Sequence, residues 1–180
     1  YRYVQQGEVG AWNFARLLES ISPLMEEPKS LYEVLDSYYD SYRGHSNRMW
    51  AEKLGLDGFQ EGDGDLVTEL TSVMQLTETD MTILFRTLST IQEPESNHLA
   101  PAFYKEEEIP QNEWNTWLDR WWDRVDGRPD RESMLSANPK YVLRNWMAQL
   151  AIDAAEKEDY SVATQLHDCL LYTSPSPRDQ

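Results

Sequence analysis

One cysteine, Cys169, stands among 180 residues. A lone thiol excludes an internal disulfide framework and fits a reducing or intracellular compartment. Basic residues are scarce as well. The 16 Lys and Arg face 32 Asp and Glu, a net charge of −16. Such a surface repels nucleic-acid phosphates and anionic membranes, so neither nucleic acid nor a membrane is expected as a partner. No apolar run approaches the roughly 20 residues that a membrane span requires. The opening YRYVQQGEVG lacks the basic start and apolar core of a secretory signal, and the chain as written is expected to be soluble. It begins with Tyr rather than Met, so the true start, with any targeting peptide, can lie upstream.

The usual local signatures of chemistry are missing too. His45, His98 and His167 are far apart, with no HxxxH pair and no second cysteine, which leaves no zinc spacing. There is no GxGxxG, no GxxxxGK followed by Ser or Thr, and no GxSxG. With so many acidic residues, an isolated carboxylate pair is nearly uninformative. The segment Asp57 to Asp65, DGFQEGDGD, invites a calcium reading. An EF-hand loop begun at Asp57 puts Phe59 at the third position and Thr68 at the twelfth, where an oxygen ligand and a bidentate Glu are needed. It reads instead as an acidic, Gly-rich turn before a helix from Leu66 to Leu76. The run Glu106 to Glu108, in a polar connection over 92–109, reads as a solvated loop, because consecutive residues of an extended chain do not converge. No catalytic, cofactor-binding or metal-ligating residue is nominated.

Helices, by contrast, are plentiful. Hydrophobic residues make up 40% and aromatics 12%, too apolar for a disordered acidic tail. At this length the chain is one domain with a sizeable core or part of a larger one. Val9, Trp12, Leu17 and Ile21 mark a first amphipathic helix that Pro23 ends. Ser30 with Glu33 forms a capping box before a long helix with Leu31, Val34, Leu35, Tyr38, Tyr39 and Tyr42 on its buried face, which Gly44 breaks or bends before Met49, Trp50 and Leu54. The three tyrosines read as core rather than as a base-stacking platform. Thr77 to Asp80 starts a helix faced by Met81, Leu84, Phe85 and Leu88. From Pro110, residues Trp114, Trp117, Leu118, Trp121, Trp122 and Val125 share a stripe, opposite Asp119, Arg120, Asp123 and Arg124. In a piece of a larger protein, part of that stripe is expected to cover absent neighbours. A short helix follows Gly127 and Pro129, and Asp159 caps a last helix from Tyr160 to about His167.

The stretch from Asn138 to Lys157, NPKYVLRNWMAQLAIDAAEK, organises the reading. Asn138 suits an N-cap and Pro139 the first helical position. Leu143, Trp146, Met147, Leu150 and Ala154 make an apolar stripe, with Val142 and Ile152 off it, while Arg144, Ala148, Ala151 and Ala155 form a second line of mostly small residues. A helix apolar on most sides is buried, so this one is expected to be central, with Arg144, Asn145 and Gln149 finding partners inside and Arg144 acting as a buried hydrogen-bond hub.

Asn138 to Tyr160 resembles the C-terminal helical signature of the SelO family, the kinase-like protein adenylyltransferases. The resemblance continues, in the family's order, through YRYVQQGEVGAWNFARL (Tyr1 to Leu17), AEKLGL (Ala51 to Leu56) and TDMTILFRTLS (Thr79 to Ser89). It implies a mainly α fold: the helical C-terminal part of a protein-kinase-like fold, with no substantial sheet. It implies a parent enzyme that binds ATP in inverted orientation and, with Mg2+, transfers AMP to Ser, Thr or Tyr hydroxyls of protein substrates. In the family the YRY segment follows the catalytic loop and metal motif. Every catalytic, nucleotide and magnesium residue therefore lies N-terminal to Tyr1, and this segment is expected neither to bind ATP or Mg2+ nor to adenylylate alone. Gln5, Gln6 and Gly7 replace the family's NQP, which loosens that turn. The implied partners are protein substrates and the rest of the kinase-like domain. The implied location is cytoplasmic for a bacterial source and mitochondrial for a eukaryotic one. Residues 1–168 then form an incomplete domain. The tail LLYTSPSPRDQ with Cys169, residues 169–180, resembles a translated sequencing adapter, is expected to be disordered and carries no redox role. Two other readings stay open: a free-standing acidic helical interaction module without catalysis, and a pseudoenzyme relative whose upstream half has lost its metal ligands.

Overall fold

The computed structural model describes residues 6–25, 30–105 and 108–171, the side chain of Ser30 excepted. Among them the chain is mainly α, as expected, with no strand. One isolated antiparallel bridge joins Thr79 to Phe103. No helix among these residues is long and apolar enough to cross a membrane. Gln5, the capping box of Ser30, Glu106, Glu107 and the tail from residue 172 lie outside the described residues. The chain divides into two compact units, Tyr1–Met49 and Trp50–Gln180.

In the first unit, α1 (Gln6–Ile21) packs on the opening turns of α2 (Ser30–Leu54). The face that α1 buries is not the expected one. Ala11 and Leu18 are buried, with Gly7 and Phe14 partly covered in line with them, while Trp12, Leu17 and Ile21 are exposed. The cause is the tyrosines of α2. Tyr38 donates a hydrogen bond from its hydroxyl to the Gly7 carbonyl (3.2 Å), and its ring lies 5.8 Å from that of Phe14. A Cβ on Gly7 would sit 2.5 Å from Cζ of Tyr42, and one on Gly10 would meet the Tyr38 hydroxyl. Gly7 is thus not a loosened turn but a helical position whose missing side chain admits a ring. Leu31 is buried and Leu35 and Tyr38 partly so, whereas Val34, Tyr39 and Tyr42 are exposed. Gly44 neither breaks nor bends α2 into two helices, which runs unbroken to Leu54.

The second unit holds the main core. AEKLGL proves to be a helix terminus. Gly55 (φ +65°) ends α2 in the left-handed conformation, and the Leu56 amide donates back to the Ala51 carbonyl at 2.9 Å. Asp130 N donates to the Gly55 carbonyl (3.0 Å), and a Cβ there would lie 2.7 Å from Sδ of Met134. α3 (Asp63–Val73) and α4 (Met81–Leu88) follow. Asp80 caps α4, accepting from the amides of Thr82 (3.0 Å) and Ile83 (3.1 Å), and Leu84, Phe85 and Leu88 are buried as expected. The connection after Ile91 is not simply a solvated loop. A 3-10 segment, Ser96–Ala102, buries Leu99 and Ala102, because Asn115 accepts from the Ser96 amide at 2.9 Å and holds the turn against the next helix.

That next helix, α5 (Gln111–Arg124), is the centre of the molecule's core. Trp114, Trp117, Leu118 and Trp121 are buried, Val125 with them, and Trp122 partly so. Trp117 and Trp121 stack at 5.9 Å. Their indole N–H groups donate to the carbonyls of Leu66 and Leu54, both at 2.9 Å. The Leu54 carbonyl, at the end of α2, has no partner within its own helix, so one indole supplies apolar area and a missing donor together. The stripe is covered by this chain's own α2, α3 and 3-10 segment, not left open for absent neighbours.

α6 (Arg131–Ala137), capped by Asp130, comes next, and there the expected order fails. Asn138 is the C-cap of α6 in an extended conformation, and residues 139–144 are not helical. α7 (Asn145–Ala155) begins six positions later than expected, with Arg144 at its N-cap. It is not central: from Pro139 to Leu171 no residue is buried. α8 (Ser161–Leu171), whose first amide Asp159 accepts at 3.0 Å, packs against α7. The least exposed residues of α7 are Met147, Ala148, Ala151, Ala154 and Ala155, which include the small-residue line.

Candidate functional site

The densest buried polar cluster of the second unit forms where α2, α4 and α6 end. Asn138, 1% exposed, donates from Nδ2 to the Lys53 carbonyl (2.9 Å) and to Oγ of Ser89 (3.4 Å), and accepts from Nζ of Lys53 (3.1 Å). Two arginines reinforce it reciprocally. Arg86 of α4 donates to the carbonyls of Leu135 and Asn138 at the end of α6, both at 3.1 Å. Arg131 of α6 donates to the carbonyls of Ser89 (3.3 Å) and Ile91 just past α4. Each helix thus places a cation on the electron-rich end of the other. Lys53 lies over the Phe85 ring at 5.0 Å, and burial lowers the pKa of its ammonium. Among the described residues none of these three cations has a carboxylate partner within salt-bridge distance.

A second cluster explains the acidic loop. The guanidinium of Arg124 donates through Nε and Nη2 to both oxygens of Asp63 (2.7 and 3.0 Å), through Nη1 to Asp57 (2.9 Å) and through Nη2 to the Gly58 carbonyl (2.9 Å). Asp63 is almost wholly buried and also accepts from the Gln60 amide at 2.7 Å. The loop that failed as a calcium site wraps a cation of the chain itself. Arg124 holds the Asp57 carboxyl below its usual range by hydrogen bond and charge, and bonding to Asp63 pushes the guanidinium up.

Neither cluster pairs a hydroxyl, thiol or amine nucleophile with a carboxylate or imidazole base. Among the described residues no three or more His, Cys, Asp or Glu side chains are placed to hold a metal ion. His45, His98 and His167 are exposed and separate, and Cys169 lies half-exposed on α8. Arg144 is not a buried hub. It is 43% exposed and pairs with Asp80 at 2.8 Å. Gln149 bonds Asp153 on the surface, and Asn145 is exposed. Burial would push the Asp80 carboxyl up, but the Ile83 amide, Arg144 and the Thr82 amide outweigh it and hold it below the usual range.

The sequence model of the protein adenylyltransferase SelO family matches residues 1–171, nearly the whole chain. The chain belongs to the SelO family. The match takes in the eight α-helices of the described residues and ends with α8, so Cys169, Leu170 and Leu171 fall inside it. A protein nucleotidyltransferase YdiU of Flavobacterium johnsoniae is 42% identical over 183 residues, covering 94% of this chain and 35% of that protein. YdiU of Aromatoleum aromaticum is 35% identical, covering 96% and 35%, and that of Rhodopirellula baltica 36% identical, covering 94% and 36%. The chain therefore spans about a third of the length of these relatives.

Local pattern alone misses both polar clusters. Asn138 carries an N-cap signal, and its partners Lys53 and Ser89 lie 85 and 49 positions away. Helical period puts Arg124 opposite the tryptophan stripe and says nothing of a loop 61 residues earlier in the chain. The one usable signal was an acidic, Gly-rich turn that fits no metal: such a turn still needs a cation.

Proposed function

We propose that the chain is the helical C-terminal region of a protein nucleotidyltransferase whose whole polypeptide transfers AMP from ATP, with Mg2+, to Ser, Thr or Tyr hydroxyls of protein substrates. The observation that carries the reading is the family match over residues 1–171 combined with coverage of only about a third of each relative. The described residues do not fit ATP and Mg2+: no acidic set converges, and Lys53, Arg86 and Arg131 spend their hydrogen bonds on backbone carbonyls and Asn138. No step of transfer is assigned to them. Their work is to hold helix ends together and to support the part that carries the chemistry.

The test is transfer of AMP from α-labelled ATP to protein. A full-length chimera, with residues 1–171 in place of the matching third of the Flavobacterium johnsoniae relative, is expected to label protein in the presence of Mg2+. The isolated chain is expected to show neither labelling nor a melting shift with ATP and Mg2+, since a ligand that does not bind the native state cannot stabilise it. A saturable shift in the isolated chain would place a nucleotide site on it. A folded chimera that never labels protein would favour an interaction module without catalysis.

A further inference from the structure

α7 is among the most apolar helices of the chain, yet it buries nothing. Trp146 is 64% exposed and Leu150 53%, one turn apart on the same side, and Leu143, Val142 and Tyr141 are exposed in the extended segment before them. α8 occupies the alanine side and leaves this one bare. Contiguous apolar surface of this kind marks an interface. The family match covers α7 and α8 entirely, so the bare side lies within the matched region rather than in the tail.

We propose that the Trp146–Leu150 side of α7, with the extended segment from Tyr141, is the surface on which the remaining two-thirds of the family polypeptide docks. This rests on the reading of the chain as part of a longer transferase. Two observations select that occupant. The relatives carry about two-thirds of their length outside the matched region, enough to supply a covering layer. Exposed large apolar side chains also recur within the first unit, at Trp12, Leu24 and Tyr32. A two-fold dimer needs one self-complementary patch, whereas a region taken from a larger core leaves several. Trp146 is the anchor: a large indole, bare in the isolated chain, of the type that dominates interfaces once water is excluded.

Hydroxyl-radical oxidation of Trp146, read by mass spectrometry, tests the proposal in the same full-length chimera and in the isolated chain, with buried Trp117 as the folded-state control. Oxidation of Trp146 is expected to fall about tenfold in the chimera, as for an interface residue shielded from water. Equal oxidation in both overturns the proposal. So does concentration-dependent protection in the isolated chain, with a dimer mass that Trp146→Glu returns to monomer, because that assigns the face to a second copy. Co-expression of residues 1–171 with the relative's separate remainder gives a second reading: co-purification that Trp146→Glu with Leu150→Glu abolishes supports docking, and co-purification indifferent to both changes overturns it. AMP transfer is scored separately. A protected Trp146 without transfer removes the catalytic reading and keeps the docking, and transfer with a fully oxidised Trp146 does the reverse.

Discussion

α5 and α7 look alike as sequence and have opposite fates. Both carry tryptophan and leucine at helical spacing. α5 sets its aromatics on one side and charges on the other, and the chain covers that side itself with the end of α2, the first turn of α3 and the 3-10 segment. Among the described residues the buried Trp114 indole N–H is nonetheless left without a hydrogen-bond acceptor. α7 is apolar on more than one side, and among the described residues α8 packs on the alanine side. A one-sided stripe can be satisfied by a small domain, while a helix apolar on several sides needs neighbours on several sides. The helix that looks more buried by composition is therefore the one this chain leaves less covered.

The contrast is broken most directly at the tryptophans. Trp121→Ala is expected to cost about 3–5 kcal/mol in urea unfolding, the range for a large aromatic removed from a core, with the Leu54 carbonyl losing its donor as well. Trp146→Ala in the isolated chain should change stability by no more than about 0.5 kcal/mol. A loss at Trp146 approaching that at Trp121 would mean that α7 is already covered.

Each helix also has an arginine paired with an aspartate, which gives a second comparison. Arg124, 20% exposed at the end of α5, holds Asp63, 3% exposed. Arg124→Met strands that carboxylate and is expected to cost about 3 kcal/mol, the lower end for breaking a buried pair. Arg144→Met at the start of α7 removes a partly exposed pair and should cost about 1 kcal/mol or less. Chemical denaturation of the two variants at low and moderate salt separates them, since the buried Arg124–Asp63 pair is screened much less than the more exposed Arg144–Asp80 pair.

Much of this was legible in the residues. The caps at Asp80 and Asp159, the faces of α4 and α5, and the absence of any metal spacing follow from local rules that tertiary structure leaves alone. What was not legible is what covers a face. Periodicity says that a side of a helix should be out of water; it does not say which chain provides the cover, and so α5 was read as partly open and α7 as central. Asn138 failed for a related reason. Its local signal is a helix start, but Lys53 and Ser89 offer a buried amide three hydrogen bonds, and the helix waits until residue 145. In α1 the pattern named Trp12 because it is large. The buried line was set by Gly7 and Ala11, which are small enough to receive tyrosines.

A smaller effect tests how the seat of Trp121 is built. Gly55 ends α2 so that the Leu54 carbonyl faces the indole. Gly55→Ala must adopt the left-handed backbone at about 1–2 kcal/mol and displace Met134 as well. Gly44→Ala, in mid-helix with open space around it, should instead stabilise by about 0.5–1 kcal/mol. Thermal melts that rank the two the other way would mean that α2 does not end at Gly55 in solution.

Asp80 joins the two halves of the contrast, since it caps α4 in the core and pairs with Arg144 at the head of α7. Its folded pKa is depressed, so it binds its proton less readily folded than unfolded. The stability it lends is fully present above the unfolded value of about 3.9 and is lost as pH falls through the lower folded value. The difference in melting temperature between the native chain and Asp80→Asn should therefore be positive at pH 7, begin to shrink below about pH 4, and approach zero only once pH has fallen through the lower folded value, where both carry a neutral side chain. Hydrogen exchange divides that difference by helix. If the cap is the larger part, α4 amides quicken in Asp80→Asn at neutral pH while α7 is unmoved. If α7 amides quicken with them, the ion pair to Arg144 is what steadies the helix that the described residues leave uncovered.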